Sequence, residues 1–263
     1  MKHHAPLSGG AAKREGANEP AQPRFERAAS KQRTATQRDL LAYLRDFGWR
    51  DVDIASRAGE SEARSAAKAT ASPGGDPITA DDLVEMAQRL ADCRRCRLCE
   101  GRTQVVFGVG NPRARVMFVG EGPGADEDRL GEPFVGRAGQ LLNTMLPSIG
   151  LRRQDVYIAN IVKCRPPGNR DPQPDEAAAC MPFLKRQIEL IDPAVIVLLG
   201  RIAARFLLGT TAPISSYRGR WTSWHGRDVL PTFHPAYLLR NPAAKREAWA
   251  DLKQLRLRLQ EVG

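Results

Sequence analysis

The chain has 263 residues, with 40 Lys and Arg against 30 Asp and Glu, a formal charge of +10 and 42% hydrophobic residues. That length and apolar content fit one ordinary domain plus an extension. No stretch nears the roughly 20 apolar residues a membrane-spanning helix needs, and the N-terminal residues contain no apolar segment of a secretory signal, so a membrane protein and a secreted disulfide scaffold are both disfavoured. The basic excess fits an anionic partner, since clustered Lys and Arg release counterions from a phosphate backbone; a merely basic enzyme would share it.

Residues 1–77 are rich in Ala, Arg, Ser, Gly and Glu, carry few large apolar side chains, and end in Ala71-Ser72-Pro73-Gly74-Gly75-Asp76-Pro77. Such a segment buries too little apolar surface to offset its ordering entropy, which predicts a disordered basic extension. Within it Leu40, Leu41, Leu44 and Phe47 recur at helical spacing behind Thr34 and Thr36. This predicts a short helix near 36–49, read either as transient structure without a role or as a docking element for a protein partner. His3 and His4 read as incidental.

From Ile78 onward the pattern is that of a folded domain, residues 78–263. Thr79-Ala80-Asp81-Asp82 can cap a helix reaching Ala91, with Leu83, Met86, Ala87 and Leu90 on one face. Four apolar runs read as buried strands: Arg115–Gly120, Val156–Val162, Ala194–Leu199 and Val229–Phe233. Helical stretches fall at Gly139–Ile149, Pro174–Ile191, Ile202–Leu208 and Ala243–Gln260. The alternation predicts a three-layer α/β/α fold around a mostly parallel four-stranded sheet. In such sheets ligands bind beyond the carboxyl ends of the strands. The chemically loaded residues obey that rule: Gly120-Glu121-Gly122-Pro123-Gly124 follows the first strand, Asn160 and Lys163-Cys164-Arg165 end the second, and His234-Pro235 follows the fourth.

There are five cysteines: Cys93, Cys96, Cys99, Cys164 and Cys180. Cys93-x-x-Cys96-x-x-Cys99 puts three thiols on one short turn, and the proline-rich stretch between Cys164 and Cys180 suits a rigid loop. Thiolates converging from two segments suit zinc or an iron–sulfur cluster; spacing alone does not choose, and one cysteine is surplus to a four-ligand site. Arg94, Arg95, Arg97, Lys163 and Arg165 are expected to lower the thiol pKa values.

The Gly-rich turn lacks the lysine of a triphosphate loop, which disfavours a small-molecule nucleotide enzyme; its glycines would let backbone amides approach a ligand. Glu127, Asp128 and Glu132 read as an acidic pocket entrance or as a solvated loop. Phe134, between Pro133 and Val135, suits a stacking platform for a base, or an ordinary core position. His234-Pro235-Ala236-Tyr237-Leu238-Leu239-Arg240 joins an imidazole to a leucine pair and a cation; the leucines could wedge into a base stack or be buried. His225 reads as structural or surface.

Taken together these motifs resemble the family 4 uracil-DNA glycosylases, the iron–sulfur branch of their superfamily. The resemblance spans Asp81 to Gln260 and rests on Gly120 to Gly124 with Glu127-Asp128, Pro133-Phe134-Val135-Gly136-Arg137-Ala138-Gly139-Gln140-Leu141-Leu142, Asn160-Ile161-Val162-Lys163-Cys164-Arg165-Pro166-Pro167, and His234 to Arg240. It implies a structural [4Fe–4S] cluster on Cys93, Cys96, Cys164 and Cys180, with Cys99 spare and a Cys96/Cys99 pair as the competing choice. It implies hydrolysis of the N-glycosidic bond of deoxyuridine in single- or double-stranded DNA, as the first step of base excision repair, on a flipped-out base. Phe134 would stack on uracil, Asn160 would read its edge, and Glu127 would crowd out a thymine methyl. His234 and amides of the turn, at Gly122 and Gly124, would stabilise the leaving anion, while Glu121 would orient water or stabilise the sugar cation. Other branches place an acid at the next position, here Gly122. Leu238 and Leu239 would fill the gap in the duplex and Arg240 would hold phosphate. The competing readings are a uracil-DNA-trapping relative, whose basic His-containing insertion near Gly136 is absent here, and a non-catalytic DNA-binding iron–sulfur protein. The expected setting is a cytoplasmic, nucleoid-associated monomer with no membrane partner.

Overall fold

The computed structural model describes residues 75–261. The extension expected over residues 1–77, with its helix near 36–49, lies outside the described residues except at its last three positions. There Pro77 is buried at the head of a 3-10 turn, Pro77–Thr79, and Asp76 pairs with Arg95 at 2.7 Å.

Six strands, β1 (Val109–Gly110), β2 (Val116–Gly120), β3 (Tyr157–Asn160), β4 (Val195–Leu199), β5 (Thr222–Trp224) and β6 (Arg227–Thr232), form one sheet in the order β1-β3-β2-β4-β6-β5. The four expected strands are its parallel centre, β3-β2-β4-β6. The four-stranded expectation is corrected at both edges, where β1 and β5 add antiparallel. Both edge strands are two or three residues long and partly exposed, so neither makes the apolar run that betrays a buried strand. His225 and Gly226, both at positive φ, turn the β5–β6 hairpin, and His225 packs edge-on against Trp224 at 4.2 Å. His225, expected to be structural or at the surface, is exposed and shapes this turn.

The helices are α1 (Leu83–Leu90), α2 (Ala125–Leu130), α3 (Arg137–Met145), α4 (Pro174–Ile191), α5 (Arg201–Leu208), α6 (Ile214–Tyr217), α7 (Pro235–Arg240) and α8 (Lys245–Glu261). Asp82 caps α1, accepting from the Val84 and Glu85 amides at 2.8 Å each. The helix expected over Gly139–Ile149 divides into α3 and a 3-10 turn, Leu146–Ile149, because Pro147 has no N–H to continue the α ladder. No helix among the described residues is long and apolar enough to cross a membrane.

Period-two alternation in the strands divides the core into two layers. Met117 and Val119 of β2 face a layer with Met86 of α1, Phe183 and Leu184 of α4 and Ala203 of α5. Val116 and Phe118 face the other, with Leu142 of α3 and Leu252 and Leu255 of α8. A buried ionic contact fastens α8 to β6. Asp251, fully buried, accepts from Thr232 Oγ1 at 2.6 Å and from the Arg218 guanidinium. Thr232 ends the strand that delivers His234, so this contact also sets the site. Asp251→Ala would leave the Arg218 guanidinium hydrogen-bonded only to Glu247 and would deprive the buried Thr232 hydroxyl of its acceptor; it is expected to lower unfolding stability by about 1–3 kcal/mol, measured by urea denaturation.

Candidate active site and cysteine cavity

The carboxyl ends of β2, β3, β4 and β6 open on a cavity of about 540 Å³ whose walls include Glu121, Glu127, Phe134, Asn160, Gly200, His234 and Arg240. The strand-end rule therefore gathered the expected residues in one place. Its volume lies in the range of small-ligand pockets.

Glycines make this convergence possible. A Cβ at Gly120 would lie 2.5 Å from Asn160 Oδ1 and 2.6 Å from Phe134 Cζ. The last residue of β2 is thus a spacer that lets an amide and a ring meet over the strand end. The turn that follows is less open to a ligand than its glycines imply. The Gly124 N–H donates to Glu127 Oε2 at 3.0 Å, and a Cβ at Gly122 would lie 2.7 Å from Val162 Cγ2. The Gly124 amide is engaged within the protein, which corrects its expected role toward a leaving anion; Gly122 and Gly124 still line the cavity.

Phe134 is 5% exposed and adopts φ 54, a left-handed conformation uncommon for an aromatic residue and of the kind that clusters at functional sites. Arg153 holds it there, donating to the Pro133 carbonyl at 2.6 Å and to the Phe134 carbonyl at 3.2 Å. On the other side α3 packs so closely that a Cβ at Gly139 would sit 1.8 Å from the Phe134 carbonyl oxygen. The ring lies 5.5 Å from that of His234, tilted by 31°.

Glu127 accepts three backbone N–H groups: Gly124 at 3.0 Å, Val135 at 2.9 Å and Gly136 at 2.8 Å. It ties the Gly-rich turn to the Phe134 loop as a fixed piece of cavity wall. Asp128, 4% exposed, accepts from the Thr103 N–H and Oγ1 at 2.9 and 2.7 Å, and Glu132 pairs with Arg153 at 3.1 Å. The acidic entrance expected from these residues is corrected: each carboxylate is occupied in holding a loop.

Asn160 is 2% exposed, and its Oδ1 has no hydrogen-bond partner. A buried amide oxygen left open in this way carries a desolvation cost that a ligand donor would relieve. His234 caps α7: its Nδ1 accepts from the Ala236 N–H at 3.1 Å. In a neutral imidazole this leaves the proton on Nε2 as a donor. Burial, aided by the cationic Arg240, pushes the His234 pKa down to about 4, so the ring is neutral at physiological pH. Gly200, at φ 91, clears room for the histidine; a Cβ there would lie 2.9 Å from His234 Cβ.

Glu121 is partly buried in the cavity wall. Burial first, then the carboxylate of Asp171, pushes it up to about 7 against the opposing pull of Arg201 and Arg240. Asp171 and Arg201, ion-paired at 2.5 Å, also line the cavity. The sequence reading missed both, since an Asp in a proline-rich loop and an Arg opening a helix look like ordinary surface. Only the rule that sites follow strand ends, applied to β4, could have drawn attention to Gly200-Arg201.

The wedge expectation is corrected. Leu238 is 1% exposed and packs with Leu141, Phe233, Ala244 and Ala248. Leu239 is half-buried against the same cluster, while Arg240 is exposed at the cavity. The exposed apolar side chain of this turn is Tyr237, 38% accessible and stacked on Phe233 at 4.9 Å.

All five cysteines line a second, smaller cavity, together with Arg102, Lys163 and Phe183. Arg102 Nη1 donates to Cys164 Sγ at 3.3 Å and to the Cys93 carbonyl at 2.6 Å, and the Lys163 N–H donates to Cys180 Sγ at 3.4 Å. The expected basic surroundings are mostly turned elsewhere. Arg95 lies over Phe183 and pairs with Asp76, Arg97 pairs with Asp175 and Glu176, and Arg165 donates to Asn169. The expected lowering of thiol pKa is corrected too: burial pushes Cys164 up to about 11 and Cys180 to about 12, and raises Cys96. Such thiols stay neutral unless a bound cation draws off their protons. Among the described residues no three His, Cys, Asp or Glu side chains stand close enough to grip a single metal ion. The all-thiol lining of one cavity, with N–H donors aimed at Cys164 and Cys180, is the kind of donor set an iron–sulfur cluster takes.

The family model of the uracil DNA glycosylase superfamily matches residues 107–253. The type-4 uracil-DNA glycosylase of Thermotoga maritima is 53% identical over 166 residues, which cover 62% of this chain and 86% of that protein. The type-4 enzyme of Archaeoglobus fulgidus is 46% identical over 183 residues, covering 66% of this chain and 92% of that protein. A type-5 uracil-DNA glycosylase of Thermus thermophilus is 32% identical over 190 residues, covering 58% of this chain and 86% of that protein.

Proposed function

The chain belongs to the uracil-DNA glycosylase superfamily, in its type-4 branch, and on that premise we propose how its own residues excise uracil from DNA. The enzyme is a DNA-repair glycosylase: it hydrolyses the bond between deoxyribose C1′ and uracil N1, releases uracil and leaves an abasic site. The observation that carries the assignment of roles is one cavity holding a neutral imidazole with its Nε2 proton free and a buried amide oxygen without a partner.

A base inside a duplex must be flipped to enter such a cavity. Phe134 then stacks on the pyrimidine. Asn160 accepts from uracil N3–H through Oδ1 and donates to O4 through Nδ2. Cytosine presents the reverse order, an acceptor at N3 and a donor at C4, so a fixed amide rejects it. Glu127, pinned by three amides, cannot swing aside, which suits the exclusion of a methyl group at C5. A hydrophobic pocket without such a wall discriminates by only about 1–3 kcal/mol.

As the C1′–N1 bond breaks, its electron pair moves onto uracil, chiefly toward O2, and positive charge builds on the sugar. His234 Nε2–H donates to the developing oxyanion and keeps its proton. Ionised Glu121 faces the sugar cation and takes the proton of the water that adds to C1′. Arg240, exposed at the cavity, would hold a flanking phosphate. With Leu238 buried, any filling of the vacated stack falls to Leu239 and its neighbour Tyr237.

Cys93, Cys96, Cys164 and Cys180 would hold a [4Fe–4S] cluster, with Cys99 as the spare thiol. When bound, that group supplies a covalent tie between the turn at residues 93–99 and the segments flanking the loop from β3 to α4. We take the partner to be uracil-containing DNA, single- or double-stranded, met by a monomer at the nucleoid. The test is incubation of metal-replete protein with a uridine-bearing oligonucleotide followed by alkali. Scission at the uracil with free uracil released supports the reading. An SDS-stable protein–DNA adduct without turnover would replace it with a covalent trap.

A further inference from the structure

One buried side chain reaches from the cysteine cavity to the backbone of a residue that lines the active-site cavity. Lys163 is 1% exposed and lines the cysteine cavity, while Asn160, three residues earlier, lines the other. The Lys163 Nζ donates to the Asn160 carbonyl oxygen at 3.0 Å and to Gln187 Oε1 at 2.5 Å. Its backbone N–H donates to Cys180 Sγ at 3.4 Å. Gln187, buried on α4, is held in turn through Nε2, which donates to the Phe107 carbonyl at 3.0 Å.

The peptide following Asn160 is therefore gripped at both poles. Its N–H, that of Ile161, donates to the Gly120 carbonyl at 2.9 Å, and its C=O receives the lysine. A tilt of that plane would swing the Cα–Cβ bond of Asn160, whose Oδ1 has no partner of its own to resist the movement. Burying a lysine for two hydrogen bonds to neutral acceptors is an expensive way to fill a core, where an apolar residue of similar volume would cost less.

We propose that Lys163 is a positioning residue for uracil excision: set between the two cavities, it clamps the Asn160 peptide, Gln187 holds the clamp, and the order of the cysteine-bearing segments is thereby felt at the base-reading amide. This rests on Asn160 being the uracil reader.

The test uses full-length, metal-replete Lys163→Met and Gln187→Leu. Iron content, melting temperature, affinity for abasic DNA, inhibition by free uracil and single-turnover excision are measured for each. Gln187→Leu keeps the lysine and frees one of its anchors. It is expected to retain iron and abasic-DNA affinity while losing about tenfold in excision rate per iron-loaded molecule, with a matching loss of inhibition by uracil, because small misplacements of a reacting group are costly. Lys163→Met is expected to lose more. If it does not accumulate as folded protein, Gln187→Leu carries the test alone. Wild-type excision per iron-loaded molecule in either variant overturns the proposal, and so does a loss of rate that only tracks a loss of iron. Asn160→Ala separates this from the underlying reading. If that variant still excises, the reader assignment fails; if it is inactive while the clamp variants are normal, only the clamp fails.

Discussion

Replacing His234 by alanine is expected to slow single-turnover excision of uracil by about 10²–10³-fold, the usual cost of removing one donor from a preorganised oxyanion site. Nδ1 is committed to the Ala236 N–H at 3.1 Å, which fixes both the tautomer and the ring plane before substrate arrives. No reorganisation is needed as charge moves onto the base. Asn160→Ala is expected to lose activity on a similar scale, for a different reason: the proposed reading of the uracil edge, which holds the base in place, would be gone. Neither residue is needed once the base has gone, so affinity for abasic DNA should stay within a few-fold of wild type for both. Gel-shift titration on abasic DNA beside rapid-quench excision separates the two quantities. Near-normal excision by both variants would remove the site assignment altogether.

Much of this site was legible before the fold was known, because two independent physical regularities agree on it. Strands such as Val116–Gly120 and Val195–Leu199 are buried on both faces and so appear as unbroken apolar runs. Ligand sites in parallel sheets then follow from where those runs end. Asn160 and His234 sit at such ends, and both line the cavity there. What stayed hidden depends on pairs far apart in the chain. Leu238 and Leu239 are equally apolar, and only the packing of Leu141 and Ala248 onto α7 decides that the first is core. Gly120 looks like a ligand-binding glycine until Phe134 and Asn160 are brought within 3 Å of its missing side chain. Arg153, nineteen residues from Phe134, holds that aromatic in its left-handed turn and carries no local mark of the task. The thiols were misjudged because counting nearby cations ignores burial, and burial dominates at Cys164 and Cys180.

The pH dependence of excision should carry the signature of Glu121. Its carboxyl is pushed up to about 7 by burial and by Asp171, and the proposed step needs it ionised. The value of kcat/KM is therefore expected to rise with pH, tenfold per unit, and to level off above about pH 7; at pH 5 it should lie about 100-fold below the plateau. The position of the limb on the pH axis, not its direction, separates Glu121 from His234. His234, held down to about 4, remains neutral over that whole range, so its protonation can add only a second fall below pH 5. The neighbours supply the control. Asp171→Asn removes a repulsive carboxylate and should shift the limb to lower pH, whereas Arg201→Gln removes an attractive cation and should shift it higher. Glu121→Gln should flatten the limb and lower the plateau. A limb that ignores all three substitutions would mean that another group takes the proton of the attacking water, and Glu121 would then be left with a role in shaping the cavity wall alone.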